Sequence, residues 1–109
     1  MMKIPKRYQN FLKEHPAVAS AYEALGTSVH SAGPLDAKTR ELVKIGISIG
    51  ARMEGAVHSH VRKALENGAR EDEIRHVALL TLPTLGFPSI MASLSWLEDV
   101  LKKPQRKKK

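Results

Sequence analysis

The chain of 109 residues contains no cysteine. Disulfides, thiolate nucleophiles and thiolate-ligated metal sites are therefore excluded, because each needs a sulfur that the sequence does not supply. The start of the chain, MMKIPKRYQNFLKEHP, also lacks the apolar run of a secretory signal peptide. We therefore predict a cytoplasmic protein.

Acidic residues are missing from the end of the chain. Residues 102–109 carry six basic side chains and no acid, which accounts for all but one unit of the net charge of +7. The basic charge thus belongs to a tail, which we predict to be disordered, and not to a folded surface. Because no recognition motif accompanies it, we expect no specific nucleic-acid partner.

Charge is absent altogether from Val77 to Leu97. A run of this length is long enough to cross a membrane. It is divided, however, by Leu85-Gly86-Phe87-Pro88 into two segments that are each too short to do so, and we expect no membrane partner. We interpret Val77–Leu101 instead as a buried subunit interface and predict a homo-oligomer.

No alternating apolar pattern or hairpin signal indicates a β-strand. Helix-start and helix-stop signals recur along the chain, and they predict an all-α fold of about six helices. Residues 1–101 are predicted to form a single domain, followed by the tail. The residues that set the predicted boundaries are Pro16, Asp36, Gly68, Pro83 and Pro88.

The stretch from Asp36 to Gly68 offers the best chemical lead. It predicts two helices with a break near residues 50–52. At about 100° per residue, His60 falls on the apolar side of the second helix, with Val57, Val61 and Ala64. Glu41 lies at the edge of the apolar surface of the first helix, which we expect to be largely buried. An inward imidazole and a carboxylate that can meet it are typical of an acid–base site.

A structural interpretation of the same residues remains open. A single histidine on an apolar face is commonly a core residue that is hydrogen-bonded to the backbone. Glu41 has Lys38 and Lys44 three residues away on the same helix, and either can pair with it. Periodicity alone does not decide between a site and a core.

A metal site is a further alternative. His58 and His60 are two residues apart and diverge by about 200° around a helix, so they cannot share an ion. Glu54 and His58 share a face but supply only two ligands, whereas a zinc site needs three or four. We therefore predict no metal site.

Two segments carry a family resemblance. GPLDAKTRELVKIGISIG, followed by HSHVRKALENGAREDEIRHVALLTLPTLGFPSIMASL, resembles the carboxymuconolactone decarboxylase family, which includes the alkylhydroperoxidase D-like proteins. The resemblance extends over residues 33–101. It implies an alkylhydroperoxidase D-like helical bundle that assembles as trimers or as hexamers.

The family has a peroxidase branch and a decarboxylase branch, and this sequence resembles the decarboxylase branch more. Carried over by position, the two cysteines of the peroxidase branch fall on Met53 and Ala56, so both sulfur nucleophiles are absent. The glutamate and histidine, which the decarboxylase branch also has, fall on Glu41 and His60.

The decarboxylase branch implies a reaction without a metal or organic cofactor. Glu41 and His60 would be the catalytic pair for loss of CO2 from a small carboxylated lactone or a related acid. The substrate pocket would be lined by Met53, Ala56, Val57 and His58. The competing hypothesis is a helical oligomeric module that has kept the fold and lost the chemistry.

Overall fold

The computed structural model describes residues 4–101, and its regular secondary structure is helical throughout. No strand occurs within that range, so the predicted all-α fold is confirmed. About six helices were expected, and the additional one is a single turn. The predicted disordered tail, residues 102–109, lies outside the described residues. The helices are α1 (Lys6–Glu14), α2 (Pro16–Ser31), α3 (Ala37–Gly50), α4 (Glu54–Glu66), α5 (Glu71–Leu80), α6 (Leu82–Leu85) and α7 (Phe87–Leu101).

Residue contacts divide the chain into two units between Leu35 and Asp36. The first unit is the α1–α2 pair. His15 separates these helices with an extended φ of −136°, as expected for a residue before proline, and Pro16 occupies the first turn of α2. Helix α2 has an apolar stripe at four- and three-residue spacing. The members of this stripe, each more than half exposed, are Val18, Tyr22, Leu25 and Val29.

The second unit begins with the α3–α4 hairpin. Asp36 caps α3, because its Oδ1 accepts a hydrogen bond of 2.9 Å from the Thr39 backbone amide. The predicted break near residues 50–52 is confirmed, and Arg52 adopts a left-handed φ of 60° there. At the end of α4, Gly68 has a φ of 91°, the conformation expected of a glycine after a helix.

Helices α5 and α7 cover the hairpin. The core consists of side chains from all four long helices of this unit, together with Ala69 before α5. Its completely buried members are Ile45, Val57, Val61, Ala64, Ile74, Ala78 and Leu97. The core thus holds α3 and α4 side by side, which fixes how their remaining side chains meet.

Proline and glycine set the path between α5 and α7. Helix α5 ends at Leu80, just before Pro83, which lies in the first turn of the short α6. Gly86, at a φ of 96°, separates α6 from α7, and Pro88 occupies the first turn of α7. Among residues 4–101, no helix has the length and apolarity needed to cross a membrane.

Candidate active site

Glu41 is a buried carboxylate on α3. It lies four residues before Ile45 and eight before Ile49, so the three side chains share one face of the helix. Both isoleucines are in the core, and Glu41 is only 6% exposed. Burial of a carboxylate is costly unless it is hydrogen-bonded, so its partner matters for both stability and chemistry.

That partner is His60 on α4. Its Nδ1 lies 2.7 Å from Glu41 Oε1, a short hydrogen bond between residues nineteen positions apart. An ionised carboxylate can only accept, so the proton of this bond belongs to Nδ1. The imidazole is thereby fixed in orientation, and Nε2 is the ring nitrogen that is left for other chemistry. The histidine side chain is 21% exposed, against 8% for the glutamate.

The hairpin connection brings these two side chains together. Met53 N donates to Ser48 O at 3.0 Å, which closes the turn between the helices. Glu41 and His60 lie at similar distances along the chain from this turn, on opposite sides of it. Because the helices run back along each other, the two residues meet across the hairpin. The predicted contact is confirmed, whereas its catalytic role stays a prediction.

The alternative partner Lys38 pairs elsewhere. Its Nζ is 3.0 Å from Glu73 Oε2 on α5. Glu73 also accepts a hydrogen bond from the Arg70 backbone amide. The bond from Arg70 and, to a smaller extent, the contact with Lys38 lower the pKa of the Glu73 carboxyl group. Lys38 therefore links α3 to α5, while Glu41 is directed towards α4.

A second charged link holds α5 against α7. Arg75 donates from Nε and Nη2 to the two carboxylate oxygens of Glu98, at 2.7 and 3.0 Å. The bidentate contact, supported by Glu71, raises the pKa of Arg75. Together with the Lys38–Glu73 pair, it fixes the helix that packs on the Glu41–His60 hairpin.

The four residues predicted to line a pocket have different environments. Met53 is 55% exposed at the N-cap of α4. Ala56 and His58 are half-buried, and Val57 is completely buried in the core. Their role as pocket residues stays a prediction.

An apolar groove of about 480 Å³ lies along α3, α5 and α6. Neither the predicted pair nor the four predicted pocket residues are among the described residues that line it. Leu42, the neighbour of Glu41, does line it. Its full lining is Leu42, Val43, Gly46, Gly50, Val77, Leu80, Thr81, Thr84 and Leu85.

Helix α7 adds a residue that sequence reasoning missed. Asp99 Oδ2 lies 2.9 Å from His58 Nε2, and Glu54 Oε2 lies 3.9 Å from the same nitrogen. Sequence spacing identified Glu54 and His58 as a pair on one helical face. Asp99 is 41 positions after His58, and no local pattern connects them. Only the packing of α7 on α4 brings the third side chain into place.

Comparison with known proteins identifies sequences that are similar to this chain. Residues 16–99 match the family model described as the carboxymuconolactone decarboxylase family. A protein of Haemophilus influenzae, named only as an uncharacterized protein, is 34% identical over 61 residues. Those residues are 56% of this chain and 54% of the relative, so the match spans about half the length of that protein. The match to the family model includes both Glu41 and His60.

Proposed function

The chain belongs to the carboxymuconolactone decarboxylase family, and from this premise we propose that it decarboxylates a small carboxylated lactone or a related acid without a cofactor. The observation that carries the proposal is the 2.7 Å contact between buried Glu41 and partly exposed His60. A buried carboxylate that orients a more exposed imidazole is an arrangement suited to moving a proton at the edge of a site.

Decarboxylation makes two demands on a site. As the bond between the substrate carbon and its carboxylate breaks, CO2 leaves and the electron pair passes into the conjugated system towards the lactone carbonyl. The site must stabilise the negative charge that develops on that oxygen. It must then supply a proton to carbon, and the net reaction takes up one proton from solvent.

His60 can meet both demands through Nε2. In its imidazolium form it donates a hydrogen bond to the developing enolate, or transfers the Nε2 proton to carbon. The neutral ring that results keeps its Nδ1–H on Glu41, and solvent returns the lost proton. Glu41 itself is a positioning residue, because it acts on the substrate only through the imidazole.

The absence of cysteine excludes thiol chemistry from the proposed site. Met53 and Ala56 stand at the positions that carry cysteines in the peroxidase branch. Both are apolar and precede His60 by seven and four residues, on the same side of α4, so neither adds a second reactive group there.

Turnover of a panel of small acids tests the proposal. The panel contains carboxylated lactones and open-chain 3-oxo acids, and CO2 release is measured for the wild type, His60→Gln and Glu66→Gln. Glu66→Gln is the matched control, since Glu66 is exposed on the last turn of α4. We expect His60→Gln to lower the rate by at least about 100-fold, the usual contribution of a general acid. Turnover by His60→Gln at the wild-type rate would refute the assignment.

A second candidate function is a non-catalytic helical assembly module. It is favoured by two apolar surfaces that are exposed to solvent. One is the stripe on α2, and the other is the groove along α3, α5 and α6. This hypothesis predicts no CO2 release from any member of the panel, together with an oligomer mass that is unchanged by His60→Gln. The decarboxylase hypothesis predicts that the variant loses turnover and keeps its mass.

A further inference from the structure

A group of potential metal ligands lies where α4 meets α7, separate from the Glu41–His60 pair. Glu54 and His58 are four residues apart on α4, and Asp99 is on α7. One ligand atom from each residue lies within 4.8 Å of the others. His58 and His60 diverge by about 200° around α4, so this group occupies a different side of the helix.

The core fixes the two helices that carry the group. Val57 and Val61 of α4 and Leu97 and Leu101 of α7 belong to one buried cluster. Asp99 lies between the two leucines in sequence, so its backbone is held in place. The distance from Asp99 to His58 is therefore set by the packing of two helices and not by a mobile loop.

The spacing of the ligand atoms fits one small divalent cation. Donors at about 2.0–2.2 Å from a zinc ion are separated from each other by roughly 3–3.5 Å. His58 Nε2 lies 2.9 Å from Asp99 and 3.9 Å from Glu54, which brackets that separation. Small rotations of the two half-exposed carboxylates would bring all three donors to one ion.

The charges of the group also favour a cation. Two carboxylates face a single imidazole, so even a protonated histidine leaves one negative charge uncompensated within the triad. A divalent cation bound to a neutral imidazole and two carboxylates balances the charge completely. The side chains of Glu54 and Asp99 are 56% and 51% exposed, which leaves room for water at the remaining coordination positions.

We propose that Glu54, His58 and Asp99 bind one divalent transition-metal ion that clamps α4 to α7. The imidazole nitrogen selects Zn²⁺-like ions over Mg²⁺ and Ca²⁺, which prefer oxygen ligands. Such an ion would bind the folded chain and not the unfolded one, because Asp99 and His58 meet only in the fold. Metal binding should therefore raise the melting temperature of the protein.

Calorimetric titration with ZnCl2 tests the proposal. The untagged protein of 109 residues is first dialysed against a chelator and then against metal-free buffer. We expect one Zn²⁺ per chain, a melting temperature that rises with added Zn²⁺, and a far weaker response to MgCl2. Removing one ligand in Asp99→Asn or His58→Ala should weaken binding by at least about tenfold, since even outer-shell changes reach that size.

Two control variants separate this site from unspecific binding. Glu66→Gln removes an exposed carboxylate from α4, and His76→Ala removes an exposed histidine from α5. Both should bind Zn²⁺ as the wild type does. Circular dichroism confirms that each variant is folded, and the ¹⁵N shift of His58 Nε2 reports coordination directly. If Asp99→Asn binds as tightly as the wild type, or if the wild type does not bind Zn²⁺, the group is an ion pair only and the proposal is wrong.

Discussion

Glu41 Oε1 and His60 Nδ1 lie 2.7 Å apart across the α3–α4 hairpin, and the glutamate is the more deeply buried partner. The contact has two consequences. It satisfies a carboxylate that would otherwise be buried at a cost, and it fixes the imidazole ring with Nε2 away from the glutamate. The stability of the fold and the orientation of the imidazole therefore depend on the same bond. Substitutions at Glu41 that keep or remove the accepting oxygen measure how much this bond contributes to stability.

Glu41→Ala should lower the free energy of unfolding by about 1–3 kcal/mol, because it removes the acceptor of a largely buried hydrogen bond. Glu41→Gln keeps an oxygen that can accept the Nδ1 proton, so its cost should be smaller. Urea denaturation at neutral pH measures both. Glu66→Ala, at an exposed position of α4, should change the value by no more than about 0.5 kcal/mol. Equal stabilities for Glu41→Ala and Glu66→Ala would contradict the prediction.

The Glu41–His60 contact could be predicted because both residues occur in a strong local pattern. His60 lies in a clear apolar stripe, and the hairpin break between the two helices is marked in the sequence. The contact between His58 and Asp99 could not be predicted in this way. It joins residues 41 positions apart, and the register of α7 against α4 depends on core packing that no spacing reveals.

We expect no thiol-dependent peroxidase activity, because Met53 and Ala56 cannot form a disulfide with each other or attack a hydroperoxide as thiolates. The assay follows consumption of an organic hydroperoxide with a dithiol reductant, and heat-denatured protein serves as the control. Turnover above that control would overturn the prediction and require a different reductive chemistry in this chain.

We expect a homo-oligomer, a trimer or a hexamer, with Val77–Leu101 supplying much of the contact. Leu80 and Phe87 are 62% and 61% exposed, and exposed large apolar side chains that lie together often mark a contact between protein chains. Light scattering at micromolar concentration measures the mass. Phe87→Glu should shift the protein towards smaller species, because a charge would be buried in the interface. His76→Glu, at an exposed site of α5 outside the groove, is the control. A wild-type monomer would contradict the prediction.

The sequence was less informative about how α3 is covered. Its apolar residues spread around most of the helix, and the expectation was a largely buried helix. Ile45 and Ile49 are buried, but Ile47 is 63% exposed, and Val43, which lines the open groove, is 47% exposed. Periodicity reports which faces of a helix are apolar, and it does not report whether the same chain covers them.

The last prediction concerns the stability of the α3 and α5 starts at low pH. Hydrogen bonds from the Thr39 hydroxyl and backbone amide lower the pKa of Asp36 below its ordinary value of 3.8. Bonds from the Arg70 amide and Lys38 lower the pKa of Glu73 below 4.5. The folded protein thus binds these protons less tightly than the unfolded chain does. Their contribution to stability is complete above about pH 5 and is lost as the pH falls through the folded values.

Asp36→Asn and Glu73→Gln test this directly. Each variant should have a lower melting temperature than the wild type at pH 7, and the difference should shrink as the pH falls from 5 towards 3. It shrinks because the wild-type carboxylates become protonated and lose the negative charge that the variants already lack. Melting temperatures measured by circular dichroism at intervals of half a pH unit give the comparison. A difference of the same size at pH 7 and pH 3 would show that the charge of these residues does not stabilise the helix starts.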